Sequence, residues 1–125
     1  MILDTNAVSA ILAGEPLIQT RLPAGVRQHL PVIVIGEYQF GMLGSKRRKK
    51  MELAFARLES QSVVLPCDRR TADLYAAIQH DLKLRGRPIP INDVWIAALA
   101  RQHSLEIVSR DPHFDHVQGV RRVSW

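Results

Sequence analysis

Cysteine is nearly missing from this chain: Cys67 is the only one in 125 residues. A lone thiol excludes an internal disulfide framework and, without neighbouring ligands, a zinc–thiolate centre. Cys67 is therefore expected to be a small, partly buried side chain. Long apolar runs are lacking too. The longest, around Val32 to Ile35, falls far short of the roughly 20 residues that cross a bilayer. The N-terminus shows no basic region followed by an apolar segment and cleavage site, so a cytoplasmic protein with no membrane partner is the expectation. Low-complexity tracts and internal repeats are absent, which excludes the disordered and solenoid classes.

What is present is a globular composition, 46% apolar and 23% charged, in a length that suits one hydrophobic core. One domain over residues 1–125 is expected. Seventeen Lys and Arg against twelve Asp and Glu give a net charge of +5. That excess suits a polyanionic partner such as nucleic acid, or else an acidic protein.

Ile2 and Leu3 form a minimal strand, after which Asp4 or Thr5 can cap a helix carrying Ala7, Val8, Ile11 and Leu12 at helical spacing. Gly14 ends that helix, and a second amphipathic segment is expected from about Glu15 to His29, interrupted by Pro23 and Gly25. The run Pro31 to Ile35 is rich in β-branched residues and reads as a strand covered on both faces, with Gly36 turning the chain into the next helix. Further helices are expected from about Lys46 to Ser60, after Asp68 as N-cap, and from Asp93 to about His103 with Asn92 as its cap. Short strands are expected at Val63 to Leu65, Leu105 to Val108 and Arg122 to Ser124. Strands alternating with helices imply a three-layer α/β/α sandwich around a mainly parallel sheet.

In such a sheet, ligands gather beyond the carboxyl ends of the strands. Asp4 follows the first strand, Glu37 the second and Asp111 the fourth, while Asp93 opens the apolar helix expected to be central. Singly, each has an ordinary reading as a cap, a helix-dipole partner or a turn residue. Together, four carboxylates at one edge repel one another unless a cation neutralises them. Oxygen ligands favour Mg²⁺ or Mn²⁺ over zinc, and neither Cys67 nor the five histidines show the spacing of a soft site. Such an ion suits hydrolysis of a phosphodiester.

The stretches MILDTNAVSAIL, VIVIGEYQFG, INDVWIAALA and IVSRDPHFDHV together resemble the PIN-domain ribonucleases, in particular the VapC-type toxins of bacterial toxin–antitoxin systems. The resemblance implies a PIN-type fold, endonucleolytic cleavage of RNA, a cognate antitoxin that restrains the toxin, and a homodimer within a toxin–antitoxin hetero-oligomer. It makes Asp4, Glu37, Asp93 and Asp111 the acidic site, with Asp4 and Asp93 the principal ligands of Mg²⁺ or Mn²⁺. Thr5 and Asn6 match the family's Asp-Thr-Asn opening, and Ser109 stands where threonine is common and keeps the hydroxyl. Asp115 also fits the neighbourhood of the fourth acid, although Asp111 lies nearer the strand end. Trp95 stands where a smaller aliphatic residue is usual, which bears on local packing.

Lys46 to Lys50 reads as a solvated helix start or a phosphate-binding patch, and Arg85 and Arg87 occupy a loop from which they can reach RNA phosphates. Tyr38, Phe40, Met42 and Leu43 are expected to be mostly core, with any excess forming a groove for an antitoxin helix. Phe114 and Trp125 are expected to pack, and His113 and His116 to be surface-loop residues without a catalytic partner. Two other functions compete with the metal nuclease. One is a non-catalytic partner of a DNA-binding antitoxin, and the other is a phosphoacceptor with Asp4 as nucleophile.

Overall fold

The computed structural model describes residues 1–125. Five short strands, β1 (Ile2–Leu3), β2 (His29–Pro31), β3 (Val63–Leu65), β4 (Ile107–Val108) and β5 (Arg122–Val123), form one sheet in the order β3-β2-β1-β4-β5. Every pairing is parallel. Six helices connect them: α1 (Thr5–Leu12), α2 (Pro16–Gln19), α3 (Val32–Leu43), α4 (Arg48–Ser60), α5 (Arg69–Leu84) and α6 (Ile91–His103). A 3₁₀ turn spans Pro112–His116.

Neighbouring residues of a strand point to opposite faces of the sheet. Ile2 and Leu3 of β1, like Ile107 and Val108 of β4, are all fully buried, so both faces of the sheet centre are covered. The three-layer sandwich follows. Its core is continued by α6, where Val94 and Ile96 to Ala100 are buried in succession. Trp95 stacks on Tyr75 of α5 with ring centroids 4.1 Å apart, which accommodates the bulky residue at that position. Phe114 is fully buried, and half-buried Trp125 lies under the Arg110 guanidinium.

The β-branched run departs from its sequence reading. The strand consists of His29–Pro31, in register with Val63–Leu65, and the helix already begins at Val32 with Pro31 as its N-cap. Strand preference is a preference for a half-buried pleated surface, and here the neighbouring strand offers only three residues of it. The amphipathic segment expected from Glu15 to His29 contracts to Pro16–Gln19, because Gly25 takes φ +72° and the chain beyond Pro23 is irregular. Helix α6 starts at Ile91 with Pro90 as N-cap, so Asn92 lies inside the first turn and its amide is released from capping. Cys67 is exposed rather than partly buried. Of the apolar residues after Glu37, Met42 is buried, whereas Phe40 and Leu43 are 80% and 62% exposed.

Candidate active site

The sheet order places β2 and β3 on one side of β1 and β4 and β5 on the other, so the chain reverses direction across the sheet between β1 and β4. That switch point opens a crevice beyond the strand ends, the usual ligand position in an open parallel sheet. Asp4 ends β1 there, and Ser109 to Asp111 leave β4 beside it. An open depression of about 620 Å³ is lined there by Asp4, Thr5, Asn6, Glu37, Asp93 and Asp111, among others.

Asp4 both caps α1 and lines the depression. It caps α1 by accepting the Thr5 backbone N–H on Oδ1 at 2.7 Å. Its Oδ2 accepts the Ser109 hydroxyl at 2.7 Å and the Asn6 amide at 2.8 Å. Burial drives the Asp4 carboxyl above its ordinary pKa; the hydrogen bonds from Ser109 and the Thr5 backbone oppose the shift, while the charges of Glu37 and Asp111 add to it. Ser109 is fully buried, and its oxygen also accepts from Asn6 Nδ2 and from the Asp111 backbone N–H. Asn6 in turn accepts the Arg110 backbone N–H, tying α1 to the segment after β4.

Glu37 reaches the crevice from the second turn of α3. Thr5 Oγ1 donates to its Oε2 at 2.5 Å, and Asn92 Nδ2 donates to its Oε1 at 2.7 Å. Thr5 thus steadies Glu37 with its hydroxyl while its backbone N–H serves Asp4. The amide of Asn92, read in the sequence as a cap, bridges α6 to α3.

Asp93 enters from the first turn of α6. Its pKa is pushed up to about 6, first by burial and then by the charges of Asp4 and Asp111, with His113 pulling the other way. Asp111 caps the 3₁₀ turn through the His113 backbone N–H at 2.9 Å. Asp115 points elsewhere: it forms a two-pronged pair with Arg122 at 2.9 and 2.7 Å, and these hydrogen bonds lower its pKa. Of the two acids near the end of β4, only Asp111 lines the depression with the other three.

Arg85 is engaged by Asp81 at 2.6 Å and by the His116 carbonyl, whereas Arg87 is exposed. Lys46 to Lys50 are all exposed. His113 was read as a plain loop residue, yet its Nδ1 lies 2.8 Å from Asp111 Oδ1 and 3.1 Å from Asp93 Oδ2. The signal that could have found it is Asp-Pro-His itself, a turn in which the acid binds the backbone two residues on and brings that ring back toward it.

Whether these residues fit a divalent cation can be judged from their chemistry. Four carboxylates converge with no Lys or Arg hydrogen-bonded to Asp4, Glu37, Asp93 or Asp111, and both Asp4 and Asp93 have raised pKa values. Asp93, Asp111 and His113 offer ligand atoms within 4.8 Å of one another. The donor set is hard and oxygen-rich, open to solvent on one side, and fits an ion of the Mg²⁺ or Mn²⁺ type.

A second concavity, about 540 Å³, lies among α1, α3 and α4 and includes Leu12, Tyr38, Met51 and Ala54, with Arg47 and Lys50 at its basic edge. It shares Thr5 and Ser9 with the acidic depression. No helix is long and apolar enough to cross a membrane.

Comparison with known proteins agrees with this fold. The family model described as "PIN domain" matches residues 1–120. Ribonuclease VapC5 of Mycobacterium tuberculosis is 30% identical over 124 residues, covering 98% of this chain and 90% of that protein. The crystal structure of a member of the VapBC family of toxin–antitoxin systems, VapBC-5 from Mycobacterium tuberculosis, superposes with a TM-score of 0.76 at 28% identity, covering 99% and 97% of the two chains. VapBC2 from Rickettsia felis, solved bound to a promoter DNA fragment, shares the fold at a TM-score of 0.90 and 20% identity, covering 99% and 97%. With a family model spanning nearly all of its length and acids gathered at the sheet's switch point, this chain belongs to the PIN-domain family.

Proposed function

We propose that this protein is a single-domain, metal-dependent endoribonuclease toxin of a toxin–antitoxin module, hydrolysing RNA phosphodiester bonds at Asp4, Glu37, Asp93 and Asp111. The observation that carries this reading is the convergence of four carboxylates from β1, α3, α6 and the segment after β4 on one open crevice. Mycobacterial VapC5, similar over most of both chains, is a named ribonuclease. Asp4 and Asp93 would hold the ion, Mg²⁺ or Mn²⁺, with Asp111 completing the set. When bound, a divalent ion supplies charge neutralisation, a more acidic water and a grip on phosphate oxygens.

The protein's own groups do the positioning. Ser109 and Asn6 hold Asp4 Oδ2 in one rotamer, and Thr5 and Asn92 hold both oxygens of Glu37. Glu37 therefore faces the crevice as a fixed acceptor able to orient a water. Arg87 and the exposed Lys46, Arg47, Lys49 and Lys50 are assigned to RNA phosphates, whose contacts are salt-sensitive, while Arg48 is paired with Glu52. Arg85, already engaged by Asp81, supports the loop instead.

The structural relative VapBC-5 is a member of a toxin–antitoxin family. The apolar groove among α1, α3 and α4 suits an amphipathic antitoxin helix, and the residues it shares with the acidic depression give the following segment a path to the metal site. The exposed Val32, Phe40 and Ile91 suit a second copy of the chain in a homodimer.

The test is RNA cleavage by purified protein with Mg²⁺ or with EDTA, for wild type, Asp4→Ala and Asp93→Ala. Cleavage should require the metal and drop at least about a hundredfold in either variant, each keeping the wild-type circular dichroism spectrum. A folded Asp4→Ala/Asp93→Ala protein that still cleaves, or cleavage indifferent to EDTA, refutes the proposal. If an antitoxin complex forms with the acids removed and no RNase activity is found in wild type, the non-catalytic partner role replaces it.

A further inference from the structure

The imidazole of His113 occupies an unusual position for a surface-turn histidine. One ring nitrogen, Nδ1, faces two carboxylates at once, 2.8 Å from Asp111 Oδ1 and 3.1 Å from Asp93 Oδ2. The turn that holds it is stiff. Asp111 Oδ1 also accepts the His113 backbone N–H at 2.9 Å, and Pro112 between them fixes one backbone dihedral. The ring is thus delivered to the carboxylates by its own local structure.

Two bonding patterns suit a nitrogen in that position. As Nδ1–H it carries a single proton, which cannot bond both carboxylates at full strength. As a bare nitrogen, with the proton on Nε2, it shares one cation with both. Donors bound at right angles to a six-coordinate ion at about 2.1 Å stand about 3.0 Å apart, and the two separations from Nδ1 lie on either side of that value. The His113 side chain is 41% exposed, so the ring closes one side of the crevice without sealing it.

The geometry points to His113 as a nitrogen ligand of the proposed metal site, joining Asp93 and Asp111 and shifting the preference of the site from Mg²⁺ toward Mn²⁺ and related transition ions. This inference rests on the metal-dependent reading above and adds a ligand to it. Imidazole is a poor ligand for Mg²⁺, which favours oxygen, and a good one for first-row transition ions. The all-oxygen donor set expected from the four acids becomes a mixed one. A residue that only oriented the acids by hydrogen bonding would affect both ions alike.

Mn²⁺ titrated into the full-length protein tests this directly, with bound ion counted by loss of the free Mn²⁺ electron paramagnetic resonance signal. Pulsed measurements then read ¹⁴N coupling from a directly bound nitrogen. Wild type should bind Mn²⁺ and show the coupling, and His113→Ala should still bind Mn²⁺ but lose it. The dissociation constant for Mn²⁺ should rise about tenfold in His113→Ala, and that for Mg²⁺, read by competition, less than about threefold. Mn²⁺ bound by wild type without nitrogen coupling overturns the inference and leaves the metal-dependent reading standing. Coupling retained in His113→Ala, or equal weakening of both ions, also overturns the inference. Failure of wild type to bind Mn²⁺ overturns it, and failure to bind Mg²⁺ as well, read by titration calorimetry, overturns the reading it rests on. The decisive spectrum is that of wild type, and His113→Gln serves as the second variant if His113→Ala does not fold.

Discussion

Helices α3 and α6 have similar lengths, and α3 is the more apolar of the two, yet they are used in opposite ways. Helix α6 buries six residues, is covered by α5 and carries Asp93 at its first turn. Helix α3 buries only Val34 and Met42, leaves Phe40 and Leu43 in solvent, and carries Glu37. Apolar composition alone does not decide burial; a helix buries a face only where another element covers it. The site is assembled across that divide. Asp93, Asp111 and His113 belong to the well-packed side, and Glu37 is held to it by Asn92 and Thr5.

Substitutions should expose this asymmetry. Leu99→Ala in α6 removes a fully buried side chain and should cost about 2–5 kcal/mol, read by chemical denaturation. Ser109→Ala leaves Asp4, Asn6 and the Asp111 backbone without their shared partner. A loss of about 1–3 kcal/mol is expected, with weakened metal binding measured by titration calorimetry.

The acids of the packed side should also report through pH. Folding raises the Asp93 pKa from 3.8 to about 6, so the native state holds that proton more tightly than the unfolded chain does. Its contribution is present below about pH 4 and lost as pH rises through about 6. The melting temperature of metal-free protein should therefore fall across that window, and Asp93→Asn should flatten the fall. If the proposed site holds the ion, saturating Mg²⁺ or Mn²⁺ should restore stability above pH 6, because a ligand of the native state alone stabilises it. Scanning fluorimetry in EDTA and in metal checks both. The smallest effect belongs to α3: Phe40→Ala or Leu43→Ala should change stability by no more than about 0.5 kcal/mol. A large loss in an isolated monomer would mean that the face is covered after all. Weakened self-association or antitoxin binding at unchanged stability would mark it as an interface.

Some of this was legible in the residues. Asp68 as a cap is realised as a reciprocal pair with Thr71, because capping is a local event spanning four residues. The nearly all-apolar stretch after Asp93 could only be a buried helix. That Asp4, Glu37, Asp93 and Asp111 would line one depression was legible because the end of a parallel strand or the start of the following helix points to the same sheet edge. The run Pro31 to Ile35 misled because β-branched residues tolerate a helix once its N-terminus is set by Pro31. Nearness to the strand end favours Asp111 over Asp115 in sequence, but what turns Asp115 away is Arg122, seven residues further on and on another strand. The partners of His113 are hidden in sequence for a similar reason: Asp111 is two residues away, but Asp93 is twenty residues away on another helix.

The alternation of strands and helices and the acids at the strand ends follow from residues close together in the chain, and the excess of positive charge from composition alone. Only the tertiary structure decided which acids meet, which histidine joins them and which apolar helix remains open. Those outcomes depend on distances between segments far apart in sequence, and periodicity and capping carry no information about such distances. Asp4 belongs to both levels. Its cap on α1 is local, while its partnership with Ser109 spans nearly the whole chain.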